Sequence, residues 1–130
     1  MNKGFKLFIH QSLLKHKHYP LLFLLFRITA TTTVSEPAPF NKKTKELLSQ
    51  LTNKAQATPK LFATGERELG KSTKLYGLVQ CTRDLSSAVC KKCLDGIIGE
   101  LPSCCDGKQG GRVVSGSCNF IYEIYPFVNA

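Results

Sequence analysis

The sequence predicts an α+β domain in which two helices pack on one antiparallel sheet of about four to five strands, stapled by disulfides. Three observations lead to this fold class. Hydrophobic periodicity and turn residues indicate the order helix, hairpin, helix, hairpin. The 130 residues suit one domain, and 42% of them are apolar, which is enough to bury a core. Six cysteines in a chain of this length are typical of a secreted protein.

The first 35 residues are predicted to be a signal-like or unstructured basic leader. Basic residues are followed by a short apolar run at residues 21–26 and then by small and hydroxyl residues, which is the order found in a signal peptide. A bilayer span needs about 20 apolar residues, so we expect no transmembrane anchor in this chain. If the signal is functional, the protein is secreted to the apoplast. His10, His16 and His18 lie in this leader, where nothing would hold metal-ligand geometry.

The net charge of +9 does not indicate a nucleic-acid partner. Residues 1–35 carry +5 and residues 36–130 carry +4. A nucleic-acid-binding protein carries its basic residues on a folded face. Because over half of the excess charge lies in the predicted leader, we expect no nucleic-acid partner.

Residues 36–39 are predicted to be a linker, because two prolines within three residues hold the backbone extended. The domain is expected to span residues 40–128. It opens with a helix over residues 41–57, for which Asn41 is the predicted N-cap and Pro59 enforces the stop. The apolar stripe of this helix comprises Leu47, Leu48, Leu51 and Ala55.

A hairpin and a second helix follow. Segments Leu61–Glu68 and Leu75–Thr82 are short and β-like, and residues 70–73 form a turn between them. The second helix is predicted over Ser87–Leu101, where a broad apolar stripe runs until Pro102 ends the helix.

A second hairpin is predicted at the end of the domain. Residues 106–111 form a glycine-rich turn, and Arg112–Ser115 and Cys118–Tyr125 are read as strands. Both faces of the last strand carry aromatic or aliphatic side chains. We therefore expect this strand to be central in the sheet.

The cysteines form the most specific pattern in the sequence. They are Cys81, Cys90, Cys93, Cys104, Cys105 and Cys118. Cys90 and Cys93 lie on one face of the second helix, and the simplest arrangement ties Cys90 back to Cys81 and leaves Cys93 to reach the sheet. A zinc site built from the C-x2-C pair and the cysteine doublet is disfavoured, since no histidine follows His18 and a doublet is poor ligand geometry. A thioredoxin-like redox motif is also disfavoured, because it belongs at the start of a helix after a parallel strand.

No set of residues indicates an enzyme. A Ser-His-acid triad has no histidine available outside the leader. Glu100 and Asp106 flank the cysteine doublet without the convergence that glycoside hydrolysis needs. Residues 107–111 are glycine-rich but lack the Gly-Lys-Ser/Thr of a phosphate loop. We therefore expect no enzymatic activity, no metal and no cofactor.

Several motifs occur in a fixed order from Leu75 onward. They are C-x8-C-x2-C from Cys81, Leu-Pro-Ser-Cys-Cys at 101–105, Gly-Gly-Arg-Val at 110–113, Ser-Cys-Asn at 117–119 and Tyr-Glu-Ile-Tyr-Pro-Phe at 122–127. With these motifs, residues 40–128 resemble the plant ginkbilobin-like cysteine-rich domain, also called the salt-stress-response/antifungal domain. That domain occurs in secreted antifungal proteins, in cysteine-rich repeat secretory proteins and in cysteine-rich receptor-like kinases. The cysteine doublet at 104–105 and the Tyr-Glu-Ile-Tyr-Pro-Phe segment at 122–127 are similar to those of the second, membrane-proximal copy of the domain in these kinases.

The resemblance implies the same two-helix fold and a set of disulfides. The implied pairs are Cys81–Cys90 and Cys93–Cys118. The family's third bridge would join Cys105 to a cysteine upstream of the first helix, and no cysteine precedes Cys81 in this chain. Cys104 and Cys105 are left with three options: a vicinal disulfide, free thiols, or a bond to another chain. Losing the third bridge is expected to loosen the N-terminal helix.

The resemblance also implies a secreted recognition module of plant stress or defence, related to receptor-like kinase ectodomains. In ginkbilobin-like antifungal members an Asn, an Arg and a Glu hold a mannose-type sugar; Arg112 and Glu123 match the last two, and the Asn has no counterpart. The plainer alternative makes Arg112 and Glu123 cross-strand partners on a solvated face. A receptor or other protein partner is the competing hypothesis, with a surface that includes Arg83, Lys91 and Lys92. A third hypothesis is that the chain is a truncated receptor fragment without independent function.

Overall fold

The computed structural model describes residues 26–29, 34–70 and 72–127. In chain order the elements are β1 (Phe26–Thr29), α1 (Pro37–Gln56), β2 (Phe62–Gly70), β3 (Thr73–Cys81), α2 (Ser87–Ile98), α3 (Leu101–Cys105), β4 (Gly111–Val114) and β5 (Cys118–Glu123). The strands form one antiparallel sheet in the order β1-β4-β5-β3-β2. Helices α1 and α2 pack on this sheet. The predicted α+β fold is confirmed, and β5 is the central strand as expected.

Helix α1 begins at Pro37, so most of the predicted linker at residues 36–39 forms its first turn. Proline is tolerated there because the first turn of a helix has no acceptor for the N–H that proline lacks. The predicted N-cap is therefore wrong, and Asn41 lies inside the helix. Its Nδ2 donates to Asp106 at 2.7 Å, and its Oδ1 accepts from the Gly107 N–H at 2.9 Å.

Helix α2 ends at Ile98, earlier than predicted, and Pro102 does not end it. Pro102 instead lies in the first turn of the short helix α3, where a missing N–H again costs nothing. At the other end, the Ser86 hydroxyl caps α2 by accepting from the Val89 N–H at 3.1 Å. No helix in the described ranges combines the length and the apolar character that crossing a membrane requires.

Strand β1 lies within residues 1–35, the range predicted as a leader. It pairs with β4 at the edge of the sheet. A hydrogen bond of 2.7 Å from the Val34 N–H to the Gly107 carbonyl ties the chain down again just before α1. Its four residues alternate apolar and polar, but the run has the minimum length for a strand and directly continues the apolar run of the predicted leader, which is why periodicity alone does not separate it. Residues 1–25 lie outside the described residues, and with them most of the signal-like pattern and the three histidines.

The core lies between the sheet and the two long helices. Gly65 on β2 and Gly77 on β3 are directly opposite each other. A Cβ at Gly65 or Gly77 would stand only 2.9 or 3.1 Å from a methyl carbon of Leu51. The glycine pair therefore forms a shallow seat that lets α1 approach the sheet closely. Other fully buried members of the core are Leu48, Leu75, Val79, Leu94, Ile97 and Phe120.

Candidate functional site

The sheet face that points away from α1 and α2 is called the outer face here. Along β3 and β5 every second side chain is buried on the helix side, and those between point outward and are partly exposed. Cross-strand neighbours form rows over this face. One row, from β4 to β2, is Arg112, Ile121, Leu78 and Thr64. The row beside it is Glu123, Tyr76 and Glu66. Aliphatic and aromatic side chains thus lie between charged or polar ones.

Arg112 and Glu123 both lie on the outer face, on neighbouring strands, but they are not directly opposite each other. Arg112 is opposite Ile121, and Glu123 is opposite Tyr76, so the two are diagonal neighbours. The ion pairs among the described residues involve neither of them. Burial raises the pKa of Glu123, and the positive charge of Arg112 is near enough to oppose part of that rise. The two side chains are therefore neighbours on the outer face, but they lie too far apart to form an ion pair.

The Glu123 carboxylate is half-buried over the backbone of Gly110, just before β4. A Cβ at position 110 would overlap this carboxylate, so glycine leaves the space that Glu123 occupies. Burial raises the pKa of Glu123, while a hydrogen bond with Tyr125 and the charge of Arg112 act in the opposite direction. Sequence reasoning assigned Gly110 to a turn and to the Gly-Gly-Arg-Val motif, and neither assignment indicates its contact with Glu123.

We expect Glu123→Gln to remove a pH-dependent loss of stability. The folded pKa lies above the ordinary value of 4.5, so the native state holds this proton more tightly than the unfolded chain does. Stability of the wild-type protein therefore falls as the pH rises from 4.5 through the folded pKa. Urea unfolding should show similar free energies at about pH 3 and a more stable variant at about pH 7. A wild-type protein that gains stability relative to the variant over this interval would contradict the expectation.

Two disulfides fasten α2 to the sheet. Cys81 bonds to Cys90 with Cα atoms 5.8 Å apart, and Cys93 bonds to Cys118 with Cα atoms 6.2 Å apart. These are the pairs that the resemblance implies. Because Cys81 and Cys118 are directly opposite each other on β3 and β5, the bonds lie side by side and hold one helix to two strands. The Ser115 Oγ packs against this pair, 3.3 Å from the Cys93 Sγ.

The cysteine doublet forms a vicinal disulfide between Cys104 and Cys105, one of the three states that the sequence left open. The Cys105 Sγ lies over Gly111, where a Cβ would be 2.9 Å away from it. The buried Tyr122 hydroxyl donates to the Cys105 carbonyl at 3.4 Å and to the Lys108 carbonyl at 3.1 Å. Burial raises the pKa of Tyr122, so the phenol keeps its proton. All six cysteines are in disulfides, including the four weighed as zinc ligands.

The basic residues considered for a protein-binding surface do not lie on the outer face. Lys91 and Lys92 are on α2, and Arg83 precedes that helix. Lys91 makes an ion pair of 2.7 Å with Asp95, one turn further along. Lys92 and Arg83 are exposed, as solvated basic residues are.

A family model described as salt stress response/antifungal matches residues 28–125. The chain belongs to the salt stress response/antifungal family. This confirms the resemblance drawn from the motifs. The match begins upstream of the predicted domain start and includes the end of β1, so the family pattern extends into the range predicted as a leader.

Two curated relatives are longer than this chain. Cysteine-rich repeat secretory protein 38 of Arabidopsis thaliana is 66% identical over 105 residues, which cover 79% of this chain and 41% of that protein. Antimicrobial ginkbilobin-2-like protein of Castanea crenata is 66% identical over 97 residues, which cover 75% of this chain and 40% of that protein. The chain thus spans about two fifths of the length of these curated relatives.

The family fold is also seen in a solved receptor ectodomain. The tandem DUF26 ectodomain of the Arabidopsis thaliana cysteine-rich receptor-like protein PDLP8 matches with a TM-score of 0.68 at 21% identity. The match covers 79% of this chain and 49% of that ectodomain. At this identity the likeness shows a shared fold.

Proposed function

We propose that this chain is an extracellular, non-catalytic recognition domain of plant stress or defence, and that the outer face binds its partner. The observation that carries the proposal is the composition of that face. Partly exposed aromatic and aliphatic side chains lie between charged or polar ones, on the side of the sheet opposite the helices. Protein interfaces have a similar arrangement, an apolar and aromatic centre within a polar rim. The disulfides and the secretory names of relatives support an extracellular location.

A protein partner, such as the ectodomain of a related receptor, is the first candidate ligand. The test is co-purification from plant cell-wall fluid with the secreted chain as bait, followed by mass spectrometry. Ile121→Glu places a charge in the middle of the outer face, and we expect it to abolish capture of receptor ectodomains. Val89→Glu is the matched control, because Val89 is an apolar side chain on α2 that is 48% exposed. Equal capture by both variants would contradict the outer face as the binding surface.

A mannose-type glycan is the second candidate, and the placement of Arg112 and Glu123 favours it. A guanidinium and a carboxylate on one face, too far apart to neutralise each other, are suited to gripping neighbouring sugar hydroxyls by charge-assisted hydrogen bonds. One relative bears the name antimicrobial ginkbilobin-2-like protein. The family's Asn remains without a counterpart, so the proposed grip rests on two side chains and the nearby Tyr76.

Calorimetric titration with mannose and mannan tests the glycan candidate. Hydrogen bonds to charged groups contribute about 1.5–3 kcal/mol, so Arg112→Ala should weaken binding roughly 10-fold or more. Arg83→Ala is the control, since that arginine is exposed and lies outside the outer face. No heat of binding at millimolar sugar, or equal affinity for Arg112→Ala and the parent protein, would exclude the glycan.

Export can be tested separately from ligand binding. Non-reducing peptide mapping of secreted material should recover the Cys81–Cys90 and Cys93–Cys118 linkages. Material from the native host that is cytosolic, with all cysteines open to alkylation without a reductant, would contradict an extracellular domain.

A further inference from the structure

A groove of about 360 Å³ opens between the first half of α1, the end of α2 and α3. Its volume falls within the range of small-molecule sites. One wall is apolar: Pro102 and the edge of Leu101 form its surface, and the buried Ile98, Cys105 and Tyr122 lie behind them. The groove lies on the helix side of the sheet, so it is separate from the outer face.

The neutral polar groups that line the groove already have partners. Asn41 uses both ends of its amide, on Asp106 and on the Gly107 N–H. The Thr44 hydroxyl donates to the Phe40 carbonyl at 2.9 Å. The phenol in the apolar wall donates to two backbone carbonyls. A polyol needs several neutral donors and acceptors, whereas the described residues that line the groove include only three neutral polar side chains, and each already makes a hydrogen bond.

Two cations complete the lining. Lys42 and Lys45 are three residues apart on α1, which places them on one side of the helix. Both are exposed, and the ion pairs among the described residues involve neither. Asp106 directly follows α3, and its carboxylate accepts a hydrogen bond from the Asn41 amide. An apolar wall next to two unpaired ammonium groups complements a ligand with an apolar body and an acidic head.

We propose that this groove binds a small amphipathic carboxylate, in which an apolar ring or short acyl chain carries one acid group. The apolar part packs against the exposed Pro102 and the edge of Leu101, and the carboxylate faces Lys42 and Lys45. The site does not depend on the function proposed for the outer face, so either can fail without the other.

Calorimetric titration of the full, disulfide-bonded chain tests this site. The probes are 3-phenylpropanoate for the ring and octanoate for the acyl chain, each compared with its neutral primary amide. We expect at least one acid to bind roughly 5-fold more tightly than its amide, because exposed ion pairs contribute modestly and two act together. The acid that binds more tightly shows whether the apolar part of the ligand is a ring or an acyl chain. Equal affinities of acids and amides, or no binding at millimolar probe, would overturn the proposal.

Two double variants localise the site. Lys42→Gln/Lys45→Gln should abolish the preference for the acid, and Lys43→Gln/Lys54→Gln should retain it, because these lysines are on the same helix but do not line the groove. Amide chemical-shift changes on adding the acid should centre on Ile98. If both double variants lost the preference for the acid equally, or if the shift changes centred on the outer face, the acid would not bind in this groove.

Discussion

Replacing both Cys93 and Cys118 by alanine should lower the free energy of unfolding by about 3.5 kcal/mol. The two residues are 25 apart in sequence, and the entropy that the bond removes from the unfolded chain increases with the logarithm of that separation. The bond also joins α2 to the central strand β5, so its loss removes the covalent link between that helix and that strand. We expect this to be the largest effect among the three disulfides.

The other two pairs provide matched controls. Cys81 and Cys90 are 9 residues apart, so the same reasoning predicts a smaller loss of about 2.6 kcal/mol for their double alanine variant. The vicinal pair has a separation of 1, and its removal costs little beyond the packing of the buried Cys105. Urea unfolding of the three double variants measures this order. A vicinal variant that is as destabilised as Cys93→Ala/Cys118→Ala would contradict it.

Leu51→Ala should lower the free energy of unfolding by about 3 kcal/mol. Leu51 is 2% exposed and fills the seat formed by Gly65 and Gly77. The truncation leaves a cavity between α1 and two strands, and the two glycines beneath it have no side chains to fill it. Urea unfolding measures the loss, and a value under about 1 kcal/mol would show that α1 settles onto the sheet without the leucine.

A double-mutant cycle tests the reason for that loss. Gly65→Ala alone should cost about 1–3 kcal/mol, because its Cβ would stand 2.9 Å from a Leu51 methyl carbon. In the Leu51→Ala background the same change should cost much less, since the nearest remaining contact, with Leu47, is an ordinary 3.8 Å. Gly99→Ala, at the exposed end of α2, is the control and should be additive with Leu51→Ala. If the costs of Gly65→Ala and Leu51→Ala were additive, the proposed close contact between Leu51 and the glycine pair would be contradicted.

The candidate site could be predicted only in part. The motif order pointed to Arg112 and Glu123, and strand alternation is consistent with both lying on one face. Their diagonal relation depends on the register of β4 against β5, which places Arg112 opposite Ile121. The fit of the carboxylate over Gly110 depends on the same register. The alternation of buried and exposed residues excludes a shift of one residue, which would turn the side chains of one strand to the other face, but the choice among shifts of two residues depends on the turn and on packing between strands.

The sequence by itself determined the elements whose signals are local: the order of the long helices and hairpins, the helical face that carries Cys90 and Cys93, and the central position of β5. Each follows from the spacing of apolar residues along one segment. Only the tertiary structure decided the rest, namely the edge strand β1, the early start of α1, the vicinal disulfide and the groove beside it. Strand β1 and the groove arise from contacts between segments far apart in the chain, as when Asn41 on α1 bonds to Asp106 after α3. The doublet joins adjacent residues, and its state depends on which partners the fold leaves within reach. Such pairings are selected by packing and by the satisfaction of buried polar groups, which a single segment cannot express.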